Sequence, residues 1–441
     1  MIKPAISLDP PKSREFHQAT TIYKVNANAG LSEVSRLTEF SDFLYLGRYK
    51  KFADCSVKQL PRVIDSCDFE ASEIDIKTKK STITSGRFFL LCDPYGSAFV
   101  VLTIEFKGNI SECIDVLEAQ YYRNLIVKNS DFSSFVLNLV QRNNFVIDDV
   151  ENLFSNFLHQ FFHVAESSAV AEAGFNFDLA QKIIYRADLP AREEFSSIVF
   201  PQELNRRPDN FCALGEFVTV LSGQQQYIEN SLIISAINVI AALEELASIR
   251  RTADEIICEL EENTKKKLKW RAREKQIAKL SSQLSSLNLR MASKVEAPLH
   301  IGLLIPSMRL ERYHGALLDV SQLSTRKENV SVLLGRLERV LETKSEVSSS
   351  LSKMYDQINS RSAAVVVSLL TIVSIPPTII FSFFGANTVD IDQTASFADV
   401  TRYGLIYIFV FLSFLVPITI GFAAWLYFSR RFINFTDQLE D

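Results

Sequence analysis

The sequence is poor in the residues that build catalytic and metal sites. It has five histidines and six cysteines in 441 residues, and no two cysteines form a CxxC pair. The scattered cysteines therefore predict free thiols in a reducing compartment. A Gly-rich phosphate loop, a nucleophile elbow and a Rossmann fingerprint are also missing from the sequence. We expect a protein that is not an enzyme, and an enzyme with a membrane anchor is the least favoured hypothesis.

The chain also lacks a marked charge imbalance. Its 47 Lys and Arg against 52 Asp and Glu give a formal net charge of −5, so we expect no nucleic-acid partner. The first residues contain no apolar core of about seven residues, so we expect no signal peptide. A length of 441 residues predicts two or three structural units.

Long apolar runs occur only near the C-terminal end. Residues 363–384 and residues 403–428 contain no Asp, Glu, Lys or Arg. A transmembrane helix needs about 20 apolar residues to cross a hydrocarbon core of about 30 Å. The sequence therefore predicts two membrane-spanning helices, of which the second is the lipid-facing outer one.

The charges that flank these two spans predict their orientation. The basic residues that flank the two spans on the predicted cytoplasmic side are Lys353, Arg361, Arg430 and Arg431. The connector between the spans has one basic residue, Arg402. The connector at 385–402 is acidic, and its carboxylates are Asp390, Asp392 and Asp399. Because positive flanks remain in the cytoplasm, we expect cytoplasmic N- and C-termini, a short outer acidic loop and a location in the plasma (inner) membrane.

The first span carries its polar side chains on one side. They are Ser368, Thr371, Ser374, Thr378 and Ser382. At about 100° per residue they fall within an arc of roughly 120°, which Ser360 and Ala364 extend upstream. Such a face lines a pore or packs against other helices, and isolated hydroxyls also tolerate lipid by bonding to their own backbone carbonyls. We favour the pore-lining interpretation.

Pro376 and Pro377 stand in the middle of the first span. Neither can donate an N–H group, so we expect a helix break that frees two backbone carbonyls. Freed carbonyls are tolerated in a membrane where they are buried in protein or face water. Two helices cannot enclose an aqueous path, so a pore requires several copies of the chain around one axis.

The end of the first span resembles the signature of the CorA-type divalent-cation transporters. That signature is an aromatic residue followed by Gly-Met-Asn, and the run here is Phe384, Gly385, Ala386 and Asn387. The family often has a Pro-X-Thr in mid-span, which Pro376-Pro377-Thr378 matches. The two-span resemblance covers residues 350–435, whereas over residues 1–300 the similarity is one of layout.

The resemblance implies a CorA-like fold, in which an α+β cytoplasmic domain is followed by a long stalk helix and two C-terminal transmembrane helices. It also implies a homo-oligomer, specifically a homopentamer, with Gly385, Ala386 and Asn387 at the pore mouth. Ala386 replaces the family's Met. The resemblance therefore supports a cation pathway more strongly than it supports Mg²⁺ as the transported ion. The implied cargo is Mg²⁺, Co²⁺, Ni²⁺ or Zn²⁺, and no bound cofactor is implied.

The remaining chain divides by pattern into a cytoplasmic α/β domain at 1–225, a helical, coiled-coil-like region at 226–306, a stalk helix at 307–362 and a cytoplasmic tail at 429–441. Apolar runs around a turn at 93–96 predict a β-hairpin of residues 87–92 and 97–106. Residues 183–185 and 217–221 predict further strands, and 112–165 predicts mostly helix. A heptad pattern predicts one unbroken helix from about 307 to 384.

Two charged stretches stand out in the helical region. The acidic stretch is a candidate for a regulatory cation and comprises Asp254, Glu255 and Glu259. The basic stretch is a candidate for an anionic ligand or lipid headgroups and comprises Lys265, Lys266, Lys267, Lys269, Arg271 and Arg273. A solvated amphipathic helix is the alternative for both stretches.

His159 and His163 have the i, i+4 spacing of metal ligands on a helix. No third ligand accompanies them in the sequence. We therefore expect a packed or surface helix at this point and no metal site.

Two functions fit these observations. The first is a CorA-like channel or transporter that passes divalent cations through an oligomeric pore gated by the cytoplasmic domain. The second is a membrane effector of an antiviral, CRISPR-type defence system, gated by a nucleotide messenger, since divergent CorA-like proteins accompany such systems. The expected partners are the lipid bilayer, further copies of the chain, divalent cations and, for the second function, the messenger.

Overall fold

A computed structural model describes most of the chain. The described residues are 16–29, 38–39, 45–55, 59–76, 82–147, 150, 152–165, 177–187, 197–265 and 270–386, with 401, 404–405, 407–408, 411–412, 415, 418–419 and 422–423. The chain forms two compact units. One unit contains Met1–Glu255 and Gln283–Arg336, and the other contains Ile256–Ser282 and Leu337–Asp441.

A mixed β-sheet forms the centre of the first unit. Its strands are β1 (His17–Asn28), β2 (Thr38–Glu39), β3 (Arg62–Glu70), β5 (Thr82–Cys92), β6 (Ser97–Lys107), β9 (Val146–Ile147), β10 (Phe154–His163), β11 (Phe211–Leu214) and β12 (Val218–Ser222), while β4 (Ile74–Ile76), β7 (Leu125–Val127) and β8 (Ser130–Asp131) form a small second sheet. Among the described residues the main order is β11-β12-β10-β1-β6-β5-β3-β2, and β9 pairs with β1. Among the strands that the structure describes, β10 and β12 are the one pair that runs in parallel.

The predicted β-hairpin is confirmed as β5 and β6, with Cys92 opposite Ala98. Its turn is held by the Asp93 carboxylate, which accepts the backbone N–H groups of Tyr95 at 2.9 Å and Ser97 at 2.7 Å. The predicted strand at 217–221 is also confirmed, as β12. Both runs are bounded by turn residues, which is why the sequence pattern predicts them as strands.

Helices cover both faces of the main sheet. On one face lie α2 (Ile110–Tyr121), α3 (Phe132–Arg142) and α4 (Phe177–Tyr185). Their apolar sides and the sheet share one core, which includes the fully buried Phe88, Phe132 and Phe162. A capping box starts α2, because Asn109 accepts the Glu112 N–H at 3.0 Å and the Glu112 carboxylate accepts the Asn109 N–H at 2.8 Å.

The remaining helices are α1 (Lys50–Cys55), α5 (Gln226–Lys265), α6 (Trp270–Arg290), α7 (Met308–Val320) and α8 (Leu323–Ala386). Between α6 and α7 the chain reverses through a π-helical turn at Met291–Glu296 and 3₁₀ turns at Ala297–Leu299 and Ile301–Leu303. The predicted heptad on α6 is buried, from Ile277 to Met291. The helices α5, α6 and α8 each contribute residues to both compact units. Neither unit therefore begins or ends at the boundaries expected at 225 and 306.

Three sequence predictions of secondary structure are wrong. Residues 183–185 belong to α4, where Leu179, Ala180 and Ile183 form its buried side; a three-residue apolar run fits a helix as well as a strand. The stretch 112–165 is not mostly helical, because β10 occupies Phe154–His163. The helix expected from 307 to 384 is two helices, since the chain turns at Ser321 and Gln322, whose φ is +54°.

Gly223, in the turn between β12 and α5, is the glycine on which the fold depends most. It has a φ of +65°, and a Cβ at this position would lie 1.8 Å from the carbonyl oxygen of Asp209. Gly335, inside α8, is the opposite case, because a Cβ there meets nothing within 4 Å.

We predict opposite effects of alanine at these two glycines. Gly223→Ala should lower the free energy of unfolding by more than about 2 kcal/mol, from the left-handed backbone and the clash. Gly335→Ala should raise it by about 0.5–1 kcal/mol, because alanine favours helix. Thermal melting of the detergent-solubilised chain measures both, and an unchanged Tm for Gly223→Ala would contradict the described turn.

Candidate ion pathway and regulatory charges

The hydroxyl face of the first span lies on the second half of α8. Each polar residue of the predicted face is exposed in the single chain, as are the residues that extend it: Ser360, Ala364, Ser368, Thr371, Ser374, Thr378 and Ser382. Three of the hydroxyls donate to their own helix, from Thr371 to the Val367 carbonyl at 2.9 Å, from Ser374 to Thr371 at 2.8 Å and from Thr378 to Ser374 at 2.6 Å. A hydroxyl that donates inward keeps its oxygen lone pairs directed outward, so this face can accept hydrogen bonds from a hydrated ion.

The expected helix break at Pro376 and Pro377 is not found, since α8 runs without interruption to Ala386. A proline φ near −65° is itself helical, so the two prolines remove hydrogen bonds without ending the helix. The carbonyls of Ile372 and Val373 lose their usual N–H partners, because residues four positions on are prolines. These two carbonyls add acceptor oxygens at the same depth as Thr371 and Ser374.

The predicted pore mouth is described in part. Gly385 and Ala386 are the last two residues of α8, so they continue the helix rather than forming a turn. Asn387 lies outside the described residues, as do Asp390, Asp392 and Asp399 of the predicted outer loop.

The described positions of the second apolar run expose large apolar side chains. Leu405 is 74% exposed, Phe411 65% and Phe422 60% in the single chain. Thr419 donates its hydroxyl to the Leu415 carbonyl at 2.9 Å, as Thr371 does on the first run. Large apolar side chains left uncovered by their own chain in this number are typical of contact with lipid or with another protein.

A different segment meets a length-and-composition test for membrane spans. Within the described part of the chain, Gln226–Asn263 of α5 is the one segment that passes, and 67% of its apolar window is buried inside the fold. The sequence predicts no span upstream of 363. Burial of Leu232, Ile234 and Ile237 is that of a core helix, which passes the same test.

The acidic stretch does not assemble into a metal site within the described chain. Asp254 and Glu255 are exposed on α5. Glu259 accepts the Gln276 amide at 3.2 Å and the Lys279 ammonium at 3.3 Å, and the hydrogen bond from Gln276 lowers the pKa of Glu259. No group of three or more His, Cys, Asp or Glu side chains that could hold a metal ion occurs among the described residues.

The basic stretch spans the connection between α5 and α6. Lys265 is the last residue of α5 and Arg271 the second of α6. Lys266, Lys267 and Lys269 lie outside the described residues. Arg273 is exposed on the first turn of α6.

The helical interpretation of His159 and His163 is wrong, because both lie on β10. Four residues along a strand span about 13 Å, so the two rings cannot share one metal ion. His159 Nε2 is 2.7 Å from the Thr219 hydroxyl, which is 2.8 Å from the Tyr313 hydroxyl. His163 Nε2 is 3.6 Å from the Glu229 carboxylate. These buried contacts join the sheet to α5 and α7 within the first unit, and Thr219 supplies a link that spacing alone could not indicate.

Comparison with models of protein families, with curated proteins and with solved structures found no match. The candidate sites therefore stand on the residues and their geometry.

His159 predicts a pH dependence of stability. Burial lowers its pKa to about 3 in the folded chain, against about 6.5 when unfolded. Below pH 6.5 His159 is protonated in the unfolded chain but stays neutral in the folded chain. The free energy of unfolding therefore falls by about 1.4 kcal/mol per pH unit as the pH falls toward 3. His159→Gln should therefore flatten the decline of Tm between pH 7 and pH 4.5.

The matched control is His300→Gln, because His300 is exposed. This variant should follow the unmodified protein across the same pH range. A wild-type slope in His159→Gln would show that the buried imidazole does not control the decline.

Proposed function

We propose that the protein is a CorA-like membrane channel or transporter that passes divalent cations through a homo-oligomeric pore. The observation that carries this proposal is the hydroxyl face of α8, on which Ser368, Thr371, Ser374, Thr378 and Ser382 share one side of a continuous helix. The Phe-Gly-Ala-Asn run at its end supports the same proposal through its resemblance to the CorA signature.

The chemistry of this face suits a hydrated ion. Mg²⁺ sheds its waters reluctantly, and water bound to a cation donates hydrogen bonds strongly. Such bonds can be accepted by the outward lone pairs of Thr371 and Thr378 and by the freed carbonyls of Ile372 and Val373. The ion then keeps its hydration water. The proposed passage is therefore passive movement of a hydrated cation down its gradient, with the Asn387 ring as the outer entrance.

The apolar exposure of the second run supports a membrane location, and the basic flanks Lys353, Arg361, Arg430 and Arg431 support cytoplasmic termini. Leu405, Phe411 and Phe422 each leave more than half of their surface uncovered. About 25 cal/mol of unfavourable hydration attends each Å² of such surface, so an apolar surrounding is needed. Lipid would cover the exposed surface of the second helix. Further copies of the chain, five in total in the resembled family, would cover that of the first.

The length of α8 supports control of the pore from the cytoplasm. Its 64 residues form one continuous helix of roughly 95 Å. Leu323–Arg336 belongs to the first compact unit, and the remainder to the second. The stalk residues and the hydroxyl face therefore belong to one continuous helix, with no loop between them.

The test is ion flux in liposomes. The purified chain should conduct Mg²⁺, Co²⁺, Ni²⁺ or Zn²⁺, and Thr371→Val with Thr378→Val should lower the flux about tenfold, equivalent to about 1.4 kcal/mol of added barrier. Valine keeps the shape of threonine and removes the acceptor oxygen, so packing changes little.

Thr419→Val is the matched control, since Thr419 makes the same hydrogen bond to its own helix in the second run. Its flux should stay close to that of the unmodified chain. Equal losses in both variants would argue against a pore on the α8 face, and absence of flux for all four ions would refute the transporter proposal.

A messenger-gated effector is the second proposal, supported by the basic stretch from Lys265 to Arg273. In that case flux would begin only on addition of an anionic nucleotide. Charge reversal of Lys265, Lys266, Lys267 and Lys269 should then abolish the flux response to the nucleotide while leaving the Tm of the chain unchanged.

A further inference from the structure

The second compact unit contains a cavity of about 220 Å³ that is partly open to solvent. Its walls come from the end of α5, the first half of α6 and the stalk part of α8. Leu260, Ile277 and Leu280 provide a buried apolar wall. A cavity of this volume is below the usual range for drug-sized ligands, which is about 300–1,000 Å³, so its occupant is small.

The charges on this cavity are of one sign. Arg273 on α6 and Lys344 on α8 are among its eleven described lining residues, and none of the eleven is Asp or Glu. Glu259, on the neighbouring turn of α5, is already held by Gln276 and Lys279. The cavity therefore favours an anion.

A polar group inside the cavity also lacks a partner. The side-chain amide nitrogen of Asn263 is buried and has no hydrogen-bond acceptor among the described residues. A buried donor without an acceptor costs about 1–3 kcal/mol, and native structures rarely leave one unpaired. An acceptor oxygen of a bound molecule at this wall would remove that cost.

We propose that this cavity binds a small organic anion that combines a phosphate or carboxylate head with an apolar or aromatic body. The head group lies between Arg273 and Lys344 and accepts a hydrogen bond from Asn263. The body lies against Leu260, Ile277 and Leu280. Nucleoside monophosphates and short fatty acids share this chemistry, and binding at this site does not depend on conduction by the pore.

The test is equilibrium binding to the full chain in detergent, with radiolabelled AMP and radiolabelled decanoate as the two probes. We expect saturable binding of at least one probe. Arg273→Glu and Lys344→Glu should each weaken it by about tenfold or more, the effect of one charge-assisted hydrogen bond. Val347→Trp should also weaken it, because Val347 lines the cavity and tryptophan would fill it while both cations remain.

Lys275→Glu and Lys353→Glu are the matched controls, since both lysines are exposed on the same two helices and neither lines the cavity. Each control should change affinity less than about twofold, because exposed charges at a distance are screened by salt. Thermal melting establishes that each variant is folded.

The two probes separate the possible sources of the ligand. Binding of AMP alone identifies a nucleotide-type ligand, binding of decanoate alone identifies a lipid-type ligand, and mutual displacement identifies one shared site. Failure of both probes to saturate, or equal losses in the cavity and control variants, would overturn the proposal. Ion flux, measured after the same preparation is reconstituted into liposomes, reports separately on the proposed function.

Discussion

The continuity of α8, one helix from the stalk to Ala386, is the constraint on which the proposed function depends. One helix carries the buried leucine stripe of the stalk, with Leu334 and Leu341 each 2% exposed, and the hydroxyl face of the first span. At about 100° per residue, the hydroxyl face is rotated by roughly a quarter of a turn to a half turn from that stripe. Because the helix is continuous, packing of the stripe fixes the direction in which the hydroxyls point. A break at Pro376 and Pro377 would have removed that relation for the outer half of the span.

The secondary structure could be predicted where the period of a run was long or its ends were marked. The hairpin of β5 and β6 has eleven residues on each side of a turn built on Asp93 and Gly96, and the heptad of α6 repeats from Ile277 to Met291. The strand β10 was missed because both of its faces are buried, so its sequence does not alternate between apolar and polar residues. His159 and His163 then matched a helical spacing by coincidence.

The hydroxyl face could be inferred from sequence because it depends on a single helix, whose geometry the residue spacing determines. The cavity could not, because its walls come from three segments that are distant in the chain, around Leu260, Ile277 and Val347. Arg273 is a candidate anion contact because of its neighbouring charges, whereas Lys344 lies on a different helix and no local pattern connects it with Arg273. Long-range packing, rather than local pattern, brings these two cations to one cavity.

The cavity and the hydroxyl face share α8, and this has a thermodynamic consequence. Val347 at the cavity and Thr371 on the hydroxyl face are separated by 24 residues of one helix, about 36 Å. A ligand changes a pore only if it binds the open and closed arrangements with different affinity. Lys344 and Val347 move with α8, whereas Arg273 and Ile277 belong to α6, so a rotation of α8 would alter the distance between the two cations. The affinity for an anion would then differ between the two arrangements of α8. If an ion in the proposed pore also bound the two arrangements with different affinity, each ligand would alter the affinity for the other by the same factor.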